Sequence, residues 1–178
     1  VLDVYEPGST GKVMTIAAAL EEKKINPESV LTIPYKLKRS TKVFKDHEPH
    51  PTQRLTTAGI LAVSSNTGSI KIGEMMSNDK LYYYLTKFGI GTKTGSGLPG
   101  ESRGILPSTA WKEKAFKKTE QQKWFEGETI SLGIGQGYNA FTMLQLAQAT
   151  AIVANGGIKH KPHLMIATQD PISRKITP

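Results

Sequence analysis

The apolar positions follow a helical repeat over most of the chain and an extended one over a short early stretch. Over residues 7–22, Val13, Ile16, Ala17 and Leu20 recur at three- and four-residue spacing, which predicts an amphipathic helix. Pro7-Gly8 before Ser9-Thr10 serves as its entry, Lys23-Lys24 suits the negative end of its dipole, and Asn26-Pro27 stops it. Residues 30–45 read differently. Val30, Thr32, Ile33, Tyr35 and Leu37, then Thr41, Val43 and Phe44, predict short extended segments around a Lys38-Arg39-Ser40 turn. The helical repeat returns over 56–63, breaks at Ser64-Ser65-Asn66-Thr67-Gly68, resumes over 69–76 and recurs over 79–88, where Gly89 closes it. Residues 89–100, rich in glycine, read as loop. Residues 112–123 are rich in lysine and show little apolar periodicity. A last long helix is predicted over 142–154, with Leu144, Leu146, Ala147, Ala151 and Ile152 inward and Asn155-Gly156-Gly157 at its end. The terminal 170–178 reads as a polar turn. The pattern is mostly helical with few strands, and no internal repeat is visible.

Composition narrows the class. The 178 residues suffice for a domain with its own core, and 38% apolar with 21% charged residues fits a folded, soluble chain. No run approaches the ~18–20 apolar residues of a membrane helix. Cysteine is absent, which excludes disulfides, thiol nucleophiles and thiolate metal sites. The net charge is +8, yet its cations are dispersed. Lys36, Lys38, Arg39, Lys42 and Lys45, then Lys112, Lys114, Lys117, Lys118 and Lys123, lack interleaved aromatics or a nucleic-acid module, so they read as a solvated surface with no nucleic-acid partner. Trp111, Trp124 and Phe125 read as loop packing. The chain opens on Val1 without a signal-peptide pattern and stops in a polar turn, so it is expected to be a piece of a longer one.

Two short motifs carry candidate chemistry. Ser9-Thr10-Gly11-Lys12 at a helix N-terminus puts a hydroxyl and an amine one turn apart on the same face. A serine becomes nucleophilic when a base takes its proton, and a desolvated lysine can do so. The helix N-terminus also favours negative charge on an attacked carbonyl. The same four residues also describe an N-capping serine beside a solvated lysine. A phosphate-binding loop is excluded, because Glu6 stands where that pattern needs glycine and Val13 where it needs Ser or Thr. The second motif, Ser64-Ser65-Asn66, lies in the break between two helical stretches. It could offer a hydroxyl for proton relay and a carboxamide for a peptide substrate, or simply cap a helix.

Taken in order, Tyr5-Glu6-Pro7-Gly8-Ser9-Thr10-Gly11-Lys12, Ser64-Ser65-Asn66-Thr67-Gly68, Lys87-Phe88-Gly89-Ile90-Gly91 with Leu98-Pro99-Gly100-Glu101, and Gly133-Ile134-Gly135-Gln136-Gly137-Tyr138 followed by a helix with Gln145 resemble the transpeptidase domain of class B penicillin-binding proteins. So does Ala154-Asn155-Gly156-Gly157 leading into Lys161-Pro162-His163. The resemblance covers nearly the whole chain. It implies an α/β (α+β) penicilloyl-serine transferase, β-lactamase-like fold, of which residues 1–178 would hold mainly the helical part of a single domain, with most of the central antiparallel sheet outside. It also implies D,D-transpeptidation of peptidoglycan without a cofactor. Ser9 matches the nucleophile acylated by D-Ala-D-Ala stem peptides or β-lactams, and Lys12 the lysine that takes its proton. Ser64 and Asn66 match the motif that shuttles the proton and positions substrate. The family's setting is the bacterial cell envelope, on the extracytoplasmic face, anchored by an N-terminal segment. Partners would be a SEDS-family glycosyltransferase and other elongation or division machinery. Residues before about 109 look septal in type and those after Trp111 look elongation-like. A serine β-lactamase of related fold, or a non-catalytic penicillin-binding sensor or scaffold, are the competing expectations.

Two features depart from the family pattern. Asp46, His47, Glu48 and His50 could hold a divalent ion, as some elongation-type relatives do nearby, but those use a cysteine that this chain lacks. A solvated turn is the expectation, and no metal. The third family motif, Lys-Thr/Ser-Gly, is spelled by Lys93-Thr94-Gly95, but ahead of the Gly133–Tyr138 segment that it should follow, and it is read as structural. Nothing after Gly137 spells it. The missing strand would supply one of two oxyanion donors, a loss of roughly 2.7–4 kcal/mol in the transition state. The isolated segment should therefore fail to form an acyl-enzyme with a fluorescent penicillin, which gel fluorescence would read directly; robust labelling would contradict this.

Overall fold

The computed structural model describes residues 1–177. A 3-10 turn, Gly8–Gly11, runs directly into α1, Lys12–Glu21. Then come β1 (Val30–Ile33), β2 (Lys36–Arg39), β3 (Lys42–Lys45) and β4 (Gln53–Thr56). Three helices follow: α2 (Thr57–Ala62), α3 (Asn66–Gly73) and α4 (Asn78–Lys87). The second half carries α5 (Thr109–Ala115), α6 (Thr119–Gln122), α7 (Glu126–Gly133) and α8 (Met143–Ala154), and then two short strands, β5 (Thr168–Gln169) and β6 (Ile176–Thr177). β2 and β3 form the hairpin expected around Ser40, which adopts φ 51°. β1 pairs antiparallel with β4, a strand the sequence pattern did not reveal, from Val30 opposite Thr56 to Ile33 opposite Gln53. The expected polar C-terminal turn is present over 170–175 and links two short paired strands, β5 and β6. No helix is long and apolar enough to cross a membrane among the described residues.

α1 is the central post. Met14, Ile16, Ala18 and Ala19 are buried against Ile60, Ile72, Leu81 and Leu85 from α2, α3 and α4, and Phe141 and Ala149 close the same core. A helix apolar on most of its faces belongs inside a domain. A second core joins the β2–β3 hairpin, through Leu37 and Phe44, to Ile70 of α3 and to Ile130 and Ile134 at α7. Helix starts are marked by hydroxyl caps. Thr56, Ser65, Ser77, Ser108 and Thr142 each accept an amide of the following first turn.

α5 overlaps the lysine-rich stretch 112–123 that shows little apolar periodicity, and part of its inward face is polar. Lys112 is buried, and its amine donates to the Glu128 carboxylate at 2.6 Å and to the Lys123 carbonyl at 2.6 Å. Trp111 stacks with Phe116 and Tyr138, and Trp124 donates to Thr129. α8 also departs from expectation. Gln145, Gln148, Ala149 and Ile152 face inward, whereas Ala147 and Ala151 are exposed. Gln145 explains the difference. Its Nε2 donates to the Thr92 and Arg103 carbonyls, both at 2.8 Å, and its Oε1 accepts the Thr142 amide. Gln145→Ala, which strands these buried groups, should lower stability by roughly 3 kcal/mol, read as a shift of the denaturant midpoint.

Candidate active site

The turn bearing Ser9 is gripped from below by residues 135–141. Gly8 N–H donates to the Gly135 carbonyl at 2.9 Å, Gly137 N–H to Glu6 Oε1 at 3.1 Å, and Tyr5 and Phe141 exchange backbone hydrogen bonds at 2.9 and 2.8 Å. Within the turn, the Thr10 hydroxyl donates to the Pro7 carbonyl at 2.7 Å. Gly135 has φ 70°, and a Cβ there would sit 2.2 Å from the Gly8 carbonyl oxygen. Only glycine allows this approach. The Gly133–Tyr138 motif is thus the floor of the Ser9 turn. Ser9 itself is exposed, and among the described residues no hydrogen bond ties up its hydroxyl. Lys12 N–H donates to the Ser9 carbonyl, which fixes the two residues one turn apart.

Lys12 is the anomaly. Its side chain is among the most buried in the chain, at 1% exposure, and its amine donates to the Ser64 carbonyl at 2.6 Å and to Ser64 Oγ at 3.1 Å. Burial pushes the amine below the usual lysine range, against an opposing pull from Asp46. Ser64 presents both oxygens because its backbone is left-handed, with φ 53°, a conformation that costs a non-glycine residue about 1–3 kcal/mol.

The Ser64-Ser65-Asn66 triplet divides its labour by position. Ser65 is the N-cap of α3, accepting Gly68 N–H at 2.9 Å, so the capping function falls on the middle residue and leaves its neighbours free. α3 starts at Asn66, three residues earlier than the sequence pattern placed the resumed helix. The Asn66 amide donates to the Lys45 carbonyl at 2.7 Å, which anchors it to β3. Ser9, Lys12, Ser64 and Asn66 therefore converge around one end of α1, with the Lys12–Ser64 clasp as the direct link.

The other candidates resolve clearly. Lys93-Thr94-Gly95 lies in a loop, where Thr94 is buried and donates through its amide and hydroxyl to Glu101 at 2.6 and 2.5 Å. Asp46 is buried and His50 partly so, which corrects the expectation of a solvated turn, while His47 and Glu48 are exposed. Among the described residues no group of three or more His, Asp or Glu gathers as a metal site. Asp46 and Gly135 are structural supports, a role that motif reading did not assign to either. The one sequence signal for Gly135 is its place in a glycine-rich motif.

The fold is shared with solved penicillin-binding proteins. Penicillin-binding protein 3 from Mycobacterium tuberculosis, complexed with aztreonam, superposes with a TM-score of 0.84 at 30% identity over 99% of this chain and 36% of its own. A complex between penicillin-binding protein 2 and MreC from Helicobacter pylori gives 0.82 at 30% identity over 94% of this chain and 30% of its own. In sequence, the chain is 36% identical over 169 residues to the peptidoglycan D,D-transpeptidase MrdA of Escherichia coli and 34% identical over 167 residues to the penicillin-binding protein PbpB of Mycolicibacterium smegmatis. Each match covers 94% of this chain, which spans about a quarter of the relatives' length, 26% and 24% respectively. The penicillin-binding protein transpeptidase domain model matches residues 1–178, and the chain belongs to that family.

Gly135→Ala should disturb the Ser9 turn while leaving the Lys12–Ser64 clasp intact. The expected result is a loss on the order of 100-fold in penicillin labelling of the full-length protein, with thermal stability reduced but folding retained. Labelling kinetics and a melting curve on one preparation separate the two effects.

Proposed function

We propose that this chain carries the acylation half of a peptidoglycan D,D-transpeptidase site, and that the full-length protein cross-links stem peptides in the bacterial cell wall. The observation that carries this reading is the burial of Lys12. An amine held away from water and bound to Ser64 is suited to accept a proton, one helical turn from an exposed serine hydroxyl.

Ser9 Oγ attacks the carbonyl of the penultimate D-Ala while Lys12 takes its proton. The C–N bond to the terminal D-Ala then breaks, and the proton leaves on that amine through the Ser64 hydroxyl. The amine of a second stem peptide next attacks the Ser9 ester, loses its proton to the same relay, and restores the free serine. Asn66, anchored on β3, orients the substrate's peptide group. A β-lactam carbonyl enters the same first step and stays on Ser9. Likeness to relatives named as transpeptidases and penicillin-binding proteins supports the reading; on this reading the activity lies on the extracytoplasmic side of the envelope, and an N-terminal anchor holds the protein there. The Helicobacter pylori complex with MreC supports elongation machinery as partner, with a SEDS-family glycosyltransferase as the expected source of nascent strands.

In the full-length protein, Ser9→Ala should abolish covalent labelling by a fluorescent penicillin. Lys12→Ala should slow it by about 100- to 10,000-fold, the usual worth of a general base. Labelling that survives Ser9→Ala, mapped by peptide mass spectrometry to another residue, would reject the assignment.

A further inference from the structure

Behind the Ser64–Asn66 turn lies a carboxylate that the reaction above does not touch. Asp46, one residue past β3, is 9% exposed. Its Oδ1 accepts the Thr67 amide at 2.9 Å, and its Oδ2 accepts the Ser65 hydroxyl at 2.8 Å and the Thr67 hydroxyl at 3.3 Å. His50 Nε2 lies 2.9 Å from the same Oδ2, while His50 Nδ1 lies 2.7 Å from the Pro51 carbonyl. Both ring nitrogens face oxygen acceptors, an arrangement that favours an imidazolium beside the Asp46 carboxylate. Burial alone would push the carboxyl upward, but the hydrogen bonds from Thr67, His50 and Ser65 outweigh it and hold Asp46 ionised. The Pro51 carbonyl and then Asp46 raise His50.

Ser65 caps α3 through Gly68 N–H, and Asp46 takes a further amide of the first turn, that of Thr67. What the carboxylate adds is a grip on Ser65 and Thr67, the residues that directly follow Ser64 and Asn66. It also projects negative charge toward the buried Lys12 amine.

We propose that Asp46, with His50 as its counter-ion, is a positioning residue for acylation: it holds the turn that presents Ser64 to Lys12 and sets the electric field at the lysine amine. The proposal deepens the transpeptidase reading and rests on it. Tyr35 packs edge-on against His50 with exposed Lys36 over the Tyr35 ring, and the other elements around the pair add little competing charge. The Ser9 turn, β1 and α2 carry no ionisable side chain. β4 carries only Arg54, which is exposed. β3 carries Lys42 and Lys45, both exposed; Lys42 lies over the Phe44 ring, and Lys45 meets the site through its carbonyl. On α3 the single cation, Lys71, donates to the Thr32 carbonyl at 2.7 Å. His47 and Glu48 on the Asp46 loop are exposed to solvent.

The signs follow from this layout. Negative Asp46 favours the protonated amine of Lys12, and positive His50 offsets that influence. Removing the Asp46 charge moves the Lys12 titration to lower pH. Removing His50 leaves Asp46 uncompensated and moves it to higher pH.

The test uses the full-length protein and measures the rate constant and extent of labelling by a fluorescent penicillin from about pH 5 to pH 10. Asp46→Asn should shift the acid limb of the rate profile to lower pH and reduce the plateau by about ten-fold. His50→Gln should shift the limb to higher pH. A purely structural role predicts a smaller labelled fraction with unaltered midpoint and rate constant in what remains. That result, or shifts of the same sign in both variants, overturns the proposal. Should Asp46→Asn fail to fold, His50→Gln decides alone: an upward shift supports the assignment, and an unmoved limb refutes it. Absence of labelling in the wild type would instead refute the transpeptidase reading itself, so the two failures are distinct.

Discussion

A lysine amine enclosed by protein is the constraint around which this structure is arranged. An ammonium removed from water loses several kcal/mol of solvation unless it is paired at close range. Among the described residues Lys12 has no carboxylate in contact; its partners are the carbonyl and hydroxyl of one serine. That set is enough to hold an amine and too weak to hold its charge at full strength, which is why burial depresses its proton affinity. The same feature that makes Lys12 awkward for folding makes it suitable as a base.

Much of the surrounding architecture keeps that clasp in place. Ser64 offers two oxygens to one amine from a left-handed backbone, and so strained a residue needs fixed neighbours. Ser65 supplies one anchor by starting α3, Asp46 a second through Ser65 and Thr67, and Lys45 a third through Asn66. On the other side, α1 is held by the core and by Thr15, whose hydroxyl donates to the Gly133 carbonyl at 2.7 Å. Gly135 then lifts the Ser9 turn by direct backbone contact. Ser9 stays exposed while the backbone beneath it is fixed.

The parts of this picture that were legible in the sequence are those where local pattern and tertiary role agree. α1, α4 and α8 announce themselves by apolar spacing, the β2–β3 hairpin by alternation around Ser40, and Ser9 and Lys12 by their separation of one turn. What stayed hidden involves polar groups turned inward. Lys112 breaks the apolar repeat of α5 because it is buried against Glu128 from α7, and a lysine-rich run resembles a solvated one until that partner is known. Gln145 and Gln148 displace Ala147 and Ala151 from the inner face of α8 for the same reason. β4 escaped because four residues, half-buried and paired to a distant strand, leave no local signature. Asp46 looked like part of an exposed acidic and histidine-rich loop, since nothing near it in sequence indicates the amide and hydroxyls of α3 that receive it.

The claim on which all of this turns is that the Lys12 amine is held below the ordinary lysine range of about 10.4 by burial. Direct titration by NMR settles it, using full-length protein with isotopically labelled lysine side chains and Lys12→Arg to assign the resonance. A Lys12 signal that titrates well below the other lysines is the predicted result. A signal that titrates with them, or above them, would contradict the account.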